Sequence, residues 1–281
     1  RGKCVIIKIR QRIMCLTFFT IFPEDSKHPY RFVMAFNREE QTSRKTLPFG
    51  AFKEDPNILA GRDLTSGGTW LGINIKVGVV VILTNYDEEI SNPRRSRGKL
   101  VYHFLSTASY PSGRTVEEVI EQSMADTLKI QKEYSGFNLA VYSVRSNRVY
   151  YINNKHDMKE PKILQKSHDY GLCNIDIDTI WKKTEYGLGS YSKVIKELNS
   201  LSCKQLSAEL ETIMNDTKSF SENPNDEASI FVPPYYCTLE KAERRTKSST
   251  FILIKHDLTL EVREVTHPDD KESTVNYSGS F

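Results

Sequence analysis

Residues 15–22 read CLTFFTIF and residues 30–36 read YRFVMAF. Each is an apolar and aromatic run of strand length, and the stretch 23–29 between them is polar and begins and ends on proline. Two such runs with a polar, Pro-containing connection predict a hairpin with a long loop.

Outward from this pair, residues 37–67 carry Pro, Gly and charge without a sustained period and read as an irregular excursion. Residues 69–75 and 79–86 read as two further strands joined tightly around Lys76 and Gly78. The second is apolar on both faces, so it belongs in the middle of a covered sheet. Residues 98–105 predict a short helix. Residues 115–130 predict a longer one, opened by Thr115 with Glu117 and Glu118 in its first turn, where carboxylates suit the positive end of the helix dipole. Residues 138–145 and 148–153 alternate as a hairpin around Ser146-Asn147, and residues 191–198 and 207–214 read as helices. The acidic, Asn-rich stretch 215–227 reads as a surface loop. A last hairpin, 250–255 with 259–265, turns at His256-Asp257, and the tail from Lys271 is expected to fray. Strands, then helices, then strands, without strand–helix alternation, predict an α+β fold of two antiparallel sheets covered by helices.

Composition narrows the class. The 281 residues hold 39 Lys plus Arg against 36 Asp plus Glu, a net charge of +3, which excludes the basic excess of a dedicated nucleic-acid binder. With 38% hydrophobic and 27% charged residues the chain can build a core. Its longest apolar run, 77–83, is far too short for a membrane span, so a soluble protein with no transmembrane segment is expected. The five cysteines, Cys4, Cys15, Cys173, Cys203 and Cys237, form no CxxC pair and read as reduced thiols. No two Cys or His sit at ligand spacing, so no metal site is expected.

The first Met is Met14, and residues 1–13 hold five of the basic residues and no acid. A translated upstream stretch, an organelle-targeting arm and a native first strand all fit that extension. From Met14 onward, 34 basic residues face the same 36 acids.

Five features could carry chemistry. Cys15 follows Met14 directly. If translation starts at that Met and it is removed, Cys15 becomes the chain terminus, and its own α-amine can act as base for its thiol. The competing reading is a buried, inert cysteine. Residues 35–40, AFNREE, form a polar cluster at the end of the second strand; there an acid and an amide could hold the amine and orient a carbonyl, or merely form a solvated turn. In residues 67–72, GGTWLG, the glycines sit where a backbone turns or is approached closely. This stretch lacks the spacing of phosphate loops. Asn85 ends the most apolar strand, where its amide could serve a developing oxyanion or cap the strand. Residues 96–99, SRGK, put Arg97 at a helix N-terminus, where anions bind readily.

In order, Met14-Cys15 before an aromatic strand, Tyr30 with AFNREE, GGTWLGI, LTNY, SRGKLVYHFL, GFNL, YGLCN and Trp181 resemble the Transport and Golgi organisation 2 family, also known for its Asn-Arg-Asp-Glu motif. The resemblance spans about residues 14–266, leaving 267–281 as a flexible tail. It implies an αββα sandwich like that of N-terminal-nucleophile acylases. It places the family's Cys on Cys15 and its motif on Asn37, Arg38, Glu39 and Glu40, with Glu39 in place of the Asp. By the same resemblance Asn85 and Asn174 are the oxyanion amides, Glu39 joins Cys15 in the catalytic set, and Arg245 or Lys247 stands for the acylases' Arg before the last sheet strand. Phe36 occupies the position of another acylase Arg.

Three functions follow as expectations from the resemblance. The first is a haem carrier in haem trafficking and in Golgi and secretory organisation, in the cytoplasm with Golgi or mitochondrial association. Its ligand contacts would come from Asn37, Arg38, Glu40, Gly67, Gly68, Thr69, Trp70, Arg97 and His103. The partners are then haem, or a lipid-like or acyl small molecule, with transient membrane or haem-acceptor contacts and no nucleic acid. The second is a Cys15-dependent amidase or acyltransferase. The third is a non-enzymatic interaction protein at Golgi or mitochondrial surfaces.

Overall fold

The computed structural model describes residues 15–86, 95–220, 229–238, 240–267 and 273–281. The extension 1–13, Met14 and most of the acidic 215–227 stretch lie outside these residues. In chain order the elements are β1 (Leu16–Ile21), β2 (Tyr30–Gln41), β3 (Thr46–Ala51), β4 (Ile58–Asp63), β5 (Leu71–Asn74), β6 (Val79–Asn85), α1 (Arg97–Leu105), α2 (Val116–Lys129), β7 (Phe137–Ser143), β8 (Arg148–Asn153), β9 (Lys162–Ile163), β10 (Asp169–Leu172), α3 (Lys182–Lys196), α4 (Cys203–Met214), β11 (Tyr235–Cys237), β12 (Ala242–Lys255), β13 (Thr259–Thr266) and β14 (Ser273–Ser280).

Among the described residues two antiparallel seven-stranded sheets result. One runs β10-β1-β2-β12-β13-β14 with β11 on β12, and the other runs β3 through β9 in sequence order. Successive strand residues point to opposite faces, and both faces are covered, which is why the central strands are apolar throughout. Between the sheets, Phe19, Phe32, Met34, Phe36 and Ile252 of the first meet Leu59, Ile73, Val80, Ile82 and Tyr142 of the second. The Phe32 and Tyr142 rings stack across this seam at 4.4 Å. On the outer face of the first sheet, Phe18, Val33 and Phe251 pack against Tyr191 of α3 and Leu206 and Leu210 of α4. On the outer face of the second, Val79, Val81, Leu139 and Val141 pack against Leu100 and Phe104 of α1 and Ile120 and Met124 of α2. The layers are helix, sheet, sheet, helix, the α+β sandwich expected. Each fully buried Phe contributes about 1.5–3 kcal/mol.

Helix starts follow local chemistry. Thr115 caps α2 in a reciprocal box with Glu118, and Ser202 caps α4 in the same way with Gln205. Ser96, at the start of α1, makes no side-chain cap bond.

Three expectations are corrected. The stretch read as irregular contains β3 and β4. Its strand signal is broken by Pro48, Gly50 and Gly61; an edge strand with a register shift between Leu47 and Gly50 tolerates the first two. The tail expected to fray contains β14, which pairs with β13 along all eight residues. Its sequence, STVNYSGS, is polar because it is a solvent-facing edge. The third helix begins at Lys182 rather than Tyr191. Within it, a Cβ on Gly187 would stand 2.4 Å from the Phe18 ring, so the close approach of α3 to β1 requires glycine.

Candidate functional site

The β1–β2 register places Leu16 against Asn37, so Cys15 stands at the mouth of the hairpin beside Arg38. Alternation along β2 then divides the NREE residues. Arg38 and Glu40 share the inter-sheet face with Phe36; Asn37 and Glu39 take the opposite face.

On the inter-sheet side a cavity of about 270 Å³ is lined by Cys15, Arg38, Glu40, Thr69, Trp70, Asn85 and Arg97, with Glu39 at its edge. Eight of the expected site residues are therefore brought together. The Arg38 guanidinium carbon sits over the Trp70 ring, 3.7 Å from its centroid. Its side chain is only 4% exposed, and it meets the carboxylates of Glu40 and Asp63 at 3.8 and 3.9 Å, beyond hydrogen-bond reach. Burial presses its pKa down, and Glu40, Cys15 and Asp63 act to raise it. The Cys15 thiol lies 3.9 Å from the Glu39 carbonyl oxygen, to which it donates. Burial pushes this thiol up to about 12; Arg38 opposes that shift, and the carboxylates of Glu40 and Glu39 add to it. At neutral pH the thiol is protonated.

The Gly67–Gly72 stretch positions the opposite wall. Gly67 has φ +72, the left-handed region that glycine enters without strain. A Cβ on Gly68 would lie 2.4 Å from the Gly98 backbone, so α1 can approach only because residue 68 is glycine, and a Cβ on Gly98 would itself meet Gly68 and Thr69 tightly at 3.2 Å. The Thr69 amide donates to the Gly98 carbonyl at 3.3 Å. This contact delivers Ser96, Arg97 and Gly98, the positive end of α1, to the cavity. Arg97 is steadied by donating to the Gly136 carbonyl at 2.8 Å.

Other expected residues lie elsewhere. Asn37 is consumed by structure: its amide donates to the carbonyls of Met214 (2.7 Å) and Ile230 (3.0 Å), and its oxygen accepts from Ser249 (2.7 Å). Glu39, although it borders the cavity, has its carboxylate paired with Arg244 at 3.1 Å, both side chains being buried. Asn174 is buried outside the cavity lining, next to Cys173, whose carbonyl accepts from Thr84 and Asn138. His103 lines the neighbouring groove between α1 and α2 with Asp126, and partial desolvation lowers its pKa. Arg245 and Lys247 face a different cavity.

Sequence reasoning missed Arg44, Asp63, Arg95 and Glu240, which also line the Cys15 cavity. Asp63 receives Arg44 at 2.6 Å and accepts the Thr65 and Ser66 amides. Burial opposes its charge, yet Arg44 and those amides hold its carboxyl below the usual range. The turn Asp63-Leu64-Thr65-Ser66-Gly67 carries the signature of an Asx turn, a signal that was there to be read. Among the described residues no group of three or more His, Cys, Asp or Glu could hold a metal ion. No described helix is long and apolar enough to cross a membrane.

Arranged this way, the site can offer a buried guanidinium, a helix N-terminus and a protonated thiol to one small polar group. Comparison with known proteins agrees with the order of motifs. The chain is 29% identical over 259 residues to the Transport and Golgi organization 2 homolog of Mus musculus, covering 86% of this chain and 88% of that protein. It is 29% identical over 262 residues to the Homo sapiens homolog, covering 87% and 90%. Against the Drosophila melanogaster protein it is 26% identical over 232 residues, covering 78% of each. Among solved structures, a Caenorhabditis elegans N-acylethanolamine-hydrolyzing acid amidase ortholog aligns with a TM-score of 0.40 at 10% identity, covering 85% of this chain and 92% of that one. The family model described as Transport and Golgi organisation 2 matches residues 14–269, and the chain belongs to that family.

Proposed function

We propose that the chain binds a carboxylate-bearing small molecule at the Cys15–Arg38 cavity and acts as its carrier, with haem as the ligand, in haem trafficking and in Golgi and secretory organisation. It would work in the cytoplasm, in association with Golgi or mitochondria. The observation that carries this reading is Arg38: a guanidinium 4% exposed whose neighbouring carboxylates stand at 3.8 and 3.9 Å. Its donors gain most from an acceptor that matches their fork, and a carboxylate does so with two parallel hydrogen bonds. The Arg97 end of α1 adds to the same preference. Haem carries two propionate carboxylates. The cavity of about 270 Å³ suits such a head group, and the α1–α2 groove of about 1110 Å³, sharing Ser66, Arg95 and Ser96 with it, leaves room for the macrocycle. His103 lines that groove, where an imidazole can reach an iron.

Haemin titration followed at the Soret band tests this. A saturable change is expected in the parent. Arg38→Met should weaken binding about 10-fold or more, the worth of a hydrogen bond to a charged group, and His103→Ala should move the band position. The absence of any saturable change in the parent overturns the proposal.

A second reading, Cys15-dependent amide hydrolysis or acyl transfer, is favoured by Cys15 and Asn85 lining one cavity. There the thiol would add to a carbonyl carbon, its proton passing to the Cys15 α-amine, while the Asn85 amide donates to the oxyanion. The adduct would then break its C–N bond, the leaving amine taking that proton, and the thioester left on Cys15 would be cleaved by water or an acceptor nucleophile to restore the thiol. This route requires Cys15 to be the first residue, because a thiol raised to about 12 needs a base. Intact mass followed by acylation with an activated ester decides it. A mature chain that retains residues before Cys15, or one that begins there and takes up no acyl group, removes it.

A further inference from the structure

Trp70 is a partition. One side carries Arg38 and faces the Cys15 cavity; the other helps to line a second cavity of about 680 Å³ between β3 and the β12–β13 hairpin. This volume falls within the usual range of small-molecule sites.

A bulge in β12 builds that cavity's floor. The register with β2 shifts between Thr246 and Ser248, leaving Lys247 as the extra residue. Arg245 lies opposite Glu40 and Ser248 opposite Arg38, so the bulge brings both to the inter-sheet face. Lys247 is turned aside and donates to the carbonyls of Thr42 and Arg44. Among the described residues the buried Ser248 hydroxyl has no hydrogen-bond partner, and neither has the buried Thr42 hydroxyl; both residues line the cavity. A buried hydroxyl without a partner carries a desolvation cost that a ligand's polar head removes. Among the described lining residues Lys45 and Arg245 stand beside the cavity, with Lys247 held on the Thr42 and Arg44 carbonyls, against the carboxylate of Glu264, and this excess of positive charge sets the sign of that head. Opposite lie Leu47, Pro48, Leu64 and Trp70, with Leu47 and Leu64 about half exposed at 50% and 51%. Such exposed leucines bordering a cavity offer surface for an apolar body.

We propose that this second cavity is a binding site for a small amphipathic carboxylate, its head beside Arg245 and the Ser248 hydroxyl and its body against Leu47, Leu64 and Trp70. The site is separate from the Cys15 cavity and does not depend on the function assigned there.

Decanoate, decan-1-ol and decyltrimethylammonium serve as probes, each below its micelle concentration. They are titrated into the full chain on a Trp181→Phe background, so that emission reports Trp70. Decanoate should give a saturable change, the alcohol should bind at least about 5-fold more weakly, and the cation should not bind. Leu64→Asp, at an exposed position where folding is unaffected, should weaken decanoate about 10-fold and leave the haemin response of the parent intact. Ser248→Ala should weaken it about 3-fold, and Arg38→Met should not change decanoate affinity. Equal binding of all three probes, no saturable change with decanoate, or loss in Arg38→Met with Leu64→Asp unaffected would each overturn the proposal.

Discussion

The two faces of β2 put one four-residue motif to two uses. On the helix-covered face, Asn37 and Glu39 are saturated: the amide holds Met214, Ile230 and Ser249 together, and the carboxylate holds Arg244, whose Nη1 also reaches Glu240 at 2.6 Å. On the inter-sheet face, Arg38 and Glu40 border a cavity, and Arg38 is held by a ring and by distant charges rather than by hydrogen bonds. The difference teaches that a polar motif on a strand need not act as one unit. Alternation assigns every second residue to folding and leaves the others for a ligand.

Substitutions on the two faces should therefore separate stability from binding. The largest expected effect is Glu39→Ala, which takes from the fully buried Arg244 the buried carboxylate that its Nε meets at 3.1 Å, leaving it Glu240, and should cost about 3 kcal/mol in urea unfolding. A loss as small as that of an exposed ion pair would break the comparison. Next, Asn37→Ala removes the side-chain donor from the Met214 and Ile230 carbonyls and leaves the Ser249 hydroxyl with His267, and it should cost about 2 kcal/mol in the same assay. Neither variant should change haemin affinity once it is folded.

A smaller effect is expected from Cys15. Its thiol, raised to about 12 by burial, is protonated at neutral pH. Its alkylation by iodoacetamide, mapped by peptide mass, should run about 100-fold slower than that of free cysteine. The smallest effect is the pH dependence from Asp63. Its carboxyl is held below the ordinary value, so its contribution is present in full above the unfolded-state pKa of about 4 and is lost as pH falls through the lower folded-state value. Acid unfolding of Asp63→Asn should accordingly be shallower than that of the parent below about pH 4.

These contrasts also mark how far the residues could be read before the fold was known. The β1–β2 hairpin, β6, α2 and the β7–β8 hairpin were legible because each carries either an unbroken apolar run between turn residues or a capped helical start. Cys15, Arg38, Trp70, Asn85 and Arg97 were legible as candidates from their places at strand ends and a helix start, and they do converge. Asn37 and Glu39 were not separable from Arg38 by type or spacing; only the strand's phase relative to the two sheets divides them. Asp63 and Arg44 were hidden because Pro48, Gly50 and Gly61 disguise β3 and β4, although Gly61 is what lets the Trp70 ring lie 2.6 Å from where a Cβ would stand. The strand β14 was hidden because a polar edge resembles a tail.

The central claim is that Arg38 is placed for a ligand rather than for the fold. Haemin titration of the parent and of Arg38→Met, with urea unfolding of both, tests it most directly. The account predicts saturable binding in the parent, binding about 10-fold or more weaker in the variant, and unfolding free energies within about 1 kcal/mol of each other, since an apolar side chain replaces the buried cation. Equal affinities, or a variant that loses stability as Glu39→Ala does, would contradict it.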